Sequence, residues 1–134
     1  MPHFTNDAVY DVALDEIANN CDLMVVLEGA PNNFADANAN NGAGSGQKIA
    51  EVAMVPGDFT KANGDTSGRK VTSAAKNSQA VVADGNADHV AYLDTGNSRI
   101  LHYYEMAAPR NGLTTADTVN FPVHDLEIRD TIAE

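Results

Sequence analysis

Apolar residues in the N-terminal part of the chain recur at the spacing of one helix face. Between Asn6 and about Asn20 they fall at the i, i+3, i+4 and i+7 positions of an amphipathic helix, namely Tyr10, Ala13, Leu14 and Ile17. Asn6 can cap the start, and Asp7 and Asp11 suit the positive end of the helix dipole. Asn19 and Asn20 can end the helix. The pattern predicts one helix, packed against the domain or against a neighbouring subunit.

A short apolar run and a long polar stretch follow this helix. Leu23 to Leu27 is apolar at every position, as expected of a strand that is buried on both faces. Gly29 to Gln47 is rich in Asn, Ala, Gly and Pro, a composition that favours turns and builds no core. We therefore expect a long exposed loop. Its Pro31 to Gln47 part is a candidate contact surface that becomes ordered only on assembly.

From Lys48 onwards, short apolar segments alternate with turn signals, which is the pattern of an all-β region. The predicted strands are Ile49 to Val55, Arg69 to Ala75, Gln79 to Ala83, His89 to Asp94, Arg99 to Glu105, Thr118 to Phe121 and Asp125 to Arg129. Turns are predicted at Pro56-Gly57-Asp58, Asn63-Gly64-Asp65, Asp84-Gly85-Asn86, Gly96-Asn97 and Asn111-Gly112. Pro122 marks an edge or a bulge before the final strand.

Together these segments predict a mainly β fold. We expect an antiparallel meander, over about residues 48–130, that closes into a β-sandwich or flattened barrel with one N-terminal α-helix beside it. A length of 134 residues lies within the usual range of one domain. The chain is therefore expected to form a single domain over residues 1–134.

The charge balance of the chain excludes some classes of partner. Eight Lys and Arg residues against nineteen Asp and Glu residues give a net charge of −11. Such a chain repels phosphate backbones and anionic membrane surfaces, so neither nucleic acid nor a membrane is an expected partner. Met1 to Thr5 lacks the charged and apolar regions of a signal peptide. We expect the protein to remain soluble in the cytoplasm where it is made.

The thiol and imidazole side chains show no recognisable chemical motif. Cys21 is the single cysteine, so an intrachain disulfide is excluded, and its neighbours Asn20 and Asp22 favour a packing role over that of a nucleophile. No two of the four histidines, His3, His89, His102 and His124, have metal-ligand spacing. We interpret His89 and His102 as half-exposed strand residues, although a site assembled from distant strands stays open. No metal or cofactor is expected to be needed for folding.

Two Gly-rich or acidic segments partly resemble ligand-binding loops. Gly42 to Gly46 matches neither nucleotide-binding pattern, because Lys48 follows Gln47 where a Gly is required, so a flexible loop is favoured. Asn63, Asp65, Ser67 and Gly68 imitate the first half of a calcium loop. The position of its closing Glu is Ala74. Weak calcium binding stays open there.

The remaining polar and aromatic residues favour structural roles. Five aspartates lie at or near predicted turns, where the side chain can bond its own backbone: Asp58, Asp65, Asp84, Asp88 and Asp94. Ser67 and Ser98 lack the Gly-x-Ser-x-Gly elbow of a hydrolase. With no Trp in the chain, we expect Tyr92, Tyr103 and Tyr104 to pack on alternate residues of strands. No catalytic, cofactor-binding or metal-binding residue is predicted.

Several segments resemble those of a known group of viral proteins. Val55-Pro56-Gly57-Asp58-Phe59-Thr60, followed by Gly64 to Val71, is similar to small proteins encoded among the structural genes of tailed bacteriophages. The likeness extends to Ala87 to Ala91, to Val119 to Asp130, and to the N-terminal helix and strand, so it covers most of the chain. These motifs are structural signatures of the family.

The resemblance implies a component of a phage particle, most specifically a capsid decoration or cement protein. Its partners would be the phage major capsid protein and further copies of itself, most simply as a homotrimer, because several linked copies bind a shell more tightly than one. The location would be the capsid surface of the virion. One alternative is a neck, tail or fibre component. Another is an enzyme or carbohydrate-binding module with a site in the long loop.

Overall fold

Nine strands and two α-helices dominate the part of the chain that the computed structural model describes, residues 5–42 and 46–130. The helices are α1 (Asp7–Asn20) and α2 (Phe34–Ala37). The strands are β1 (Leu23–Glu28), β2 (Gln47–Ala53), β3 (Phe59–Asn63), β4 (Arg69–Ser73), β5 (Lys76–Ala80), β6 (Gly85–Asp94), β7 (Arg99–Leu113), β8 (Thr118–Phe121) and β9 (His124–Ile128). A single 3-10 turn (Pro56–Asp58) links β2 to β3. Strand makes up 52% and helix 17%, which confirms the mainly β class, its antiparallel sandwich-like arrangement and its N-terminal helix.

The strands form three antiparallel sheets whose order departs from a meander. A four-stranded sheet has the order β2-β1-β6-β7, a three-stranded sheet the order β3-β4-β9, and β5 pairs with β8. Only β1 with β2, β3 with β4, and β6 with β7 pair as chain neighbours. The other pairings join distant segments, because β1 lies between β2 and β6 and β9 returns to β4. β7 is therefore an edge strand of the largest sheet.

Helix α1 begins and ends as its sequence predicts. The Asn6 side chain accepts a hydrogen bond from the Ala8 N–H at 2.8 Å and caps the start. Leu14, Ile17 and Ala18 are buried in the core, whereas Ala13, predicted on the inner face, is exposed. The helix face that meets the core is thus centred on residues 14, 17 and 18. Two ion pairs beside this face bind α1 to the three-stranded sheet, Asp11 to Arg69 at 2.8 Å and Asp15 to Lys61 at 2.7 Å.

Strand β1 is buried on both faces, which confirms the prediction from its unbroken apolar run. Met24 and Val26 face the main core, which α1 and the three-stranded sheet also line. Val25 and Leu27 face a second, smaller core. Ala37 of α2 and the partly buried Phe34 belong to that second core.

The segment after β1 contains the short helix α2 and a buried Ala37, so it is not the continuous exposed loop that its composition predicts. Asn33 caps α2 by accepting from the Asp36 N–H at 2.9 Å, and Ala37 is fully buried. Asn41 donates to the Asp84 carbonyl at 2.8 Å. Phe34 and Ala37 pack in the second core and so attach this segment to the sheet. Residues 43–45 of the Gly-rich stretch lie outside the described residues.

Several predicted strand and turn boundaries are wrong. Strand β3 was not predicted, because only Phe59 in it is buried and the alternation is weak. The predicted turn at Asn111-Gly112 lies inside β7, where Gly112 has a φ of +67°. The predicted Asp84-Gly85-Asn86 turn is not a hairpin, because β6 starts at Gly85 and β5 pairs with β8. An Asn next to a Gly favours left-handed backbone geometry. That geometry occurs in β-bulges as well as in hairpin turns, so the pair does not by itself identify a hairpin.

Candidate binding groove

Strand β7 carries a wide bulge at its middle. Ala87 of β6 pairs with Arg110, and His89 pairs with Glu105, so two steps along β6 match five along β7. Four residues, Met106 to Pro109, lie opposite the single residue Asp88, and of the four only Met106 is buried. Proline has no N–H for a sheet ladder and is confined to edges and bulges, so Pro109 fits this position. The bulge moves β7 away from regular pairing and opens a space beside it.

An apolar groove of about 510 Å³ fills this space, between the bulge of β7 and the segment that joins β8 to β9. We call it the β7 groove. Its lining residues are Ala75, Asn77, Tyr104, Glu105, Met106, Ala107, Ala108, Arg110, Asn120, Phe121, Pro122, Val123 and His124. Val123 is 60% exposed, one of the most exposed large apolar side chains in the described part of the protein. Exposed apolar surface with a polar rim is typical of a protein contact site.

A stack of aromatic rings forms one wall of the groove and continues into the core. The rings of Tyr104 and His124 lie parallel, with centroids 3.5 Å apart and an interplanar angle of 7°. His102 stacks behind His124 at 5.6 Å. Tyr92 lies deeper, and its hydroxyl is 2.7 Å from the buried Ser73 Oγ. The stack ties β7 and β9, which belong to different sheets, and so fixes the groove between them.

The ionisable groups of this stack are all held in their neutral forms. Burial lowers the pKa of His102, and burial followed by the nearby His102 lowers the pKa of His124. Burial raises the pKa of Tyr92 to about 12 and raises that of Tyr104, where the adjacent Tyr92 adds to the effect. The Nε2 of His102 and the hydroxyl of Tyr104 are buried with no hydrogen-bond partner of acceptable geometry among the described residues. The aromatic wall of the groove is therefore uncharged at neutral pH.

Arg110 at the groove differs from every other cation of the protein. Seven Lys and Arg side chains form ion pairs with carboxylates: Lys48, Lys61, Arg69, Lys70, Lys76, Arg99 and Arg129. Within residues 5–42 and 46–130, Arg110 has no such pair, although the chain contains nineteen Asp and Glu residues. Glu105, which also lines the groove, has no ion pair in the same ranges. The groove therefore presents one free charge of each sign.

Cys21 lies in the main core, as the packing interpretation predicts. It is 2% exposed, and its thiol donates to the Leu23 carbonyl at 3.5 Å. Burial raises its pKa to about 12, so the thiol is protonated at neutral pH. This side chain does not reach the groove surface.

The described histidines lie on two sheets: His89 and His102 on the four-stranded sheet, and His124 on β9 of the three-stranded sheet. His89 and His102 are strand residues on β6 and β7, as interpreted, but both are more buried than the half-exposed position predicted for them. The His89 Nδ1 is 2.8 Å from Asp88. The structure also brings His102 and His124 together, which sequence spacing does not reveal. His3 lies outside the described residues. In the part of the chain that is described, no three His, Cys, Asp or Glu side chains are grouped to hold a metal.

The five aspartates singled out from the sequence anchor loops and strand ends. Asp58 pairs with Lys76, Asp84 accepts from the Thr115 N–H, and the 5% exposed Asp94 accepts from Asn97 and Arg99. Asp88 lies inside β6 and not at a turn, where it accepts from the Gly29 N–H at 2.6 Å. Two residues of the calcium-loop imitation are engaged by cations: Asn63 accepts from Arg69, and Asp65 pairs with Lys70.

The serines and tyrosines also follow the structural interpretation. Ser67 Oγ accepts from the Asp130 N–H at 3.0 Å, and Ser98 has a φ of +53° in the turn between β6 and β7. Tyr92 and Tyr104 point into the protein, whereas Tyr103 is 45% exposed. Alternate packing along β7 is therefore confirmed.

Sequence reasoning missed the groove itself. The sequence features that come closest to indicating the groove are Pro109, within a strand-like run, and Pro122, before the last strand. Pro122, predicted to mark an edge or a bulge, lies in the short connection between β8 and β9. Nothing in the sequence shows that these two irregular segments lie side by side.

No protein family model, curated protein or solved structure matches this chain. Among the described residues, no helix has the length and apolar character needed to cross a membrane.

Proposed function

We propose that this chain is a non-enzymatic structural protein of a tailed-phage particle, specifically a capsid decoration, or cement, protein. It binds the shell of major capsid protein as a homo-oligomer and lies on the capsid surface of the virion. The resemblance of Val55–Thr60, Gly64–Val71 and the C-terminal segment to phage structural proteins supports this role.

One structural observation carries the binding part of the proposal. The β7 groove combines exposed apolar side chains and an aromatic wall with Arg110 and Glu105, neither of which has an ion pair among the described residues. Protein interfaces are built from such apolar patches bordered by polar groups, and arginine is enriched in them. The groove is therefore a surface at which the chain contacts a protein partner in the particle, which includes a further copy of the chain itself.

The chemistry of the groove favours binding over catalysis. The Ser73 hydroxyl, beside the ring stack, is 1% exposed and hydrogen-bonded to Tyr92 below the surface, so it is not an accessible nucleophile. A hydrolase requires an accessible nucleophile beside a base that a third group orients. In the described part of the long loop, Asn33 and Asn41 are used to hold the loop itself, so nothing there favours a sugar-binding or catalytic site.

The location in the particle is tested by labelling purified virions with an antibody against this chain and imaging them by electron microscopy. We expect label over the whole icosahedral head. Label confined to the neck, tail or fibres would replace the decoration role with the tail alternative, and unlabelled particles would contradict a virion role altogether.

A further inference from the structure

Two free charges of opposite sign lie on the same exposed strand. Glu105 and Arg110 both belong to β7, both are exposed and both line the groove, yet each lacks an ion pair within residues 5–42 and 46–130. The structure does not place them within ion-pair distance of each other. Each can therefore meet a charge supplied by a partner.

The surface between these charges is small, apolar and exposed. Ala107, Ala108 and Pro109 are exposed in the bulge, and Val123 faces them across the groove. Alanine side chains allow two backbones to approach closely, and the outer edge of β7 has no neighbouring strand in its sheet. A polypeptide can therefore come close to this edge between Glu105 and Arg110.

A second copy of the chain supplies matching chemistry. In a two-fold contact the same patch meets itself, so that residue i contacts residue j and residue j contacts residue i. A patch with one cation and one anion is self-complementary under such a rotation, because each Arg110 can face the other copy's Glu105. The self-repulsion of a chain with a net charge of −11 is opposed locally by these two pairs.

We infer that the β7 groove is a homodimer interface, in which Arg110 of each copy pairs with Glu105 of the other and the Ala107–Ala108 surfaces pack together. The inference rests on the proposed function, since it names the first protein that the groove binds. It replaces the homotrimer expected from the sequence with a two-fold assembly. Self-association can be measured in the absence of capsids, so the two proposals can fail separately.

Charge reversal tests the pairing directly by light scattering and sedimentation equilibrium, at protein concentrations up to about 1 mM, where weak association is still detected. The wild-type chain should have twice the 14.1 kDa mass of one copy. Glu105→Arg and Arg110→Glu each place like charges together and should weaken dimerisation at least about a hundredfold. Arg129→Glu makes the same charge change at a side chain that is 65% exposed and outside the groove, and it should leave the dimer intact.

Restoration by a second change separates a specific pairing from simple loss of stability. The double variant E105R/R110E exchanges the two charges and should dimerise as the wild type does. An equimolar mixture of E105R and R110E should form heterodimers, because one variant presents two cations and the other two anions. Circular dichroism confirms that each variant is folded.

Three results would overturn the inference: a wild-type chain that stays monomeric, a trimer that neither single variant disrupts, and a folded double variant that does not dimerise. A trimer of that kind leaves the decoration proposal intact. Conversely, a charge-dependent dimer that never binds shells upholds the inference and contradicts the decoration role.

Discussion

Gly68 shows how one residue determines the turn between β3 and β4. Its φ is +68°, and a Cβ built there would overlap the carbonyl oxygen of Ile128 on β9. Gly112 has nearly the same φ, +67°, but no atom lies within 4 Å of its Cβ position. A comparison of alanine substitutions at the two glycines therefore separates the energetic cost of backbone strain from that of steric overlap.

We predict that Gly112→Ala lowers the free energy of unfolding by about 1 kcal/mol, the cost of a left-handed residue with a side chain. Gly68→Ala should cost about 3 kcal/mol or more, because β4 and β9 must also move apart. Urea denaturation of the two variants measures the difference. Equal losses would show that the Ile128 contact has no energetic weight.

The histidine stack predicts a pH dependence of stability. The pKa values of His102 and His124 are lowered in the folded protein, first by burial. As the pH falls below the ordinary value of 6.5, the unfolded chain takes up protons before the folded one does, so the free energy of unfolding decreases. The free energy of unfolding continues to decrease until the pH reaches the lowered pKa values of the two histidines in the folded state.

Urea denaturation at about pH 7.5 and about pH 5.5 checks this prediction, because ordinary carboxyl groups titrate mainly below that window. The wild-type chain should be less stable at the lower pH. Whatever its stability at the higher pH, the variant H102Q/H124Q should lose less free energy of unfolding between the two conditions than the wild type. If the variant loses as much free energy of unfolding between the two pH values as the wild type does, other groups cause the pH dependence.

At the scale of elements, α1 separates its buried and exposed faces clearly. Leu14 is fully buried against the main core, whereas Val12 is 69% exposed. Leu14→Ala should reduce the free energy of unfolding by about 2–5 kcal/mol, through lost burial and a residual cavity. Val12→Ala should change it by less than about 0.5 kcal/mol. Thermal unfolding followed by circular dichroism measures both, and a large loss for Val12→Ala would contradict the orientation of the helix.

The contrast between buried and exposed positions also explains which elements the sequence predicts well. Helix α1 and strand β1 have complete apolar patterns and cap signals, so their ends agree with the structure within one residue. Strand β3 and helix α2 each have few buried residues, and neither was predicted. The burial of Ala37 cannot be predicted from the polar segment around it, because that burial depends on β1 and β6, which are distant in sequence and form the second core. The groove depends in the same way on two segments that meet only in the folded chain.

At the scale of the whole molecule, packing and ion pairs hold the fold together. The two cores lie on either face of β1. The ion pairs of Arg69 and Lys61 bind α1 to the three-stranded sheet. We predict that a chelator such as EDTA leaves the midpoint of thermal unfolding unchanged, because the packing needs no metal ligand. Differential scanning calorimetry with and without chelator measures this. A marked drop in the midpoint would reveal a structural metal.

Co-sedimentation with empty shells is the most direct test of the decoration role. Purified chain is mixed with shells of the phage and, separately, with purified tails, and each mixture is centrifuged. The account predicts saturable binding to shells, with a fixed number of copies per shell, and none to tails. A chain that stays in the supernatant with shells, or that pellets with tails instead, would contradict it.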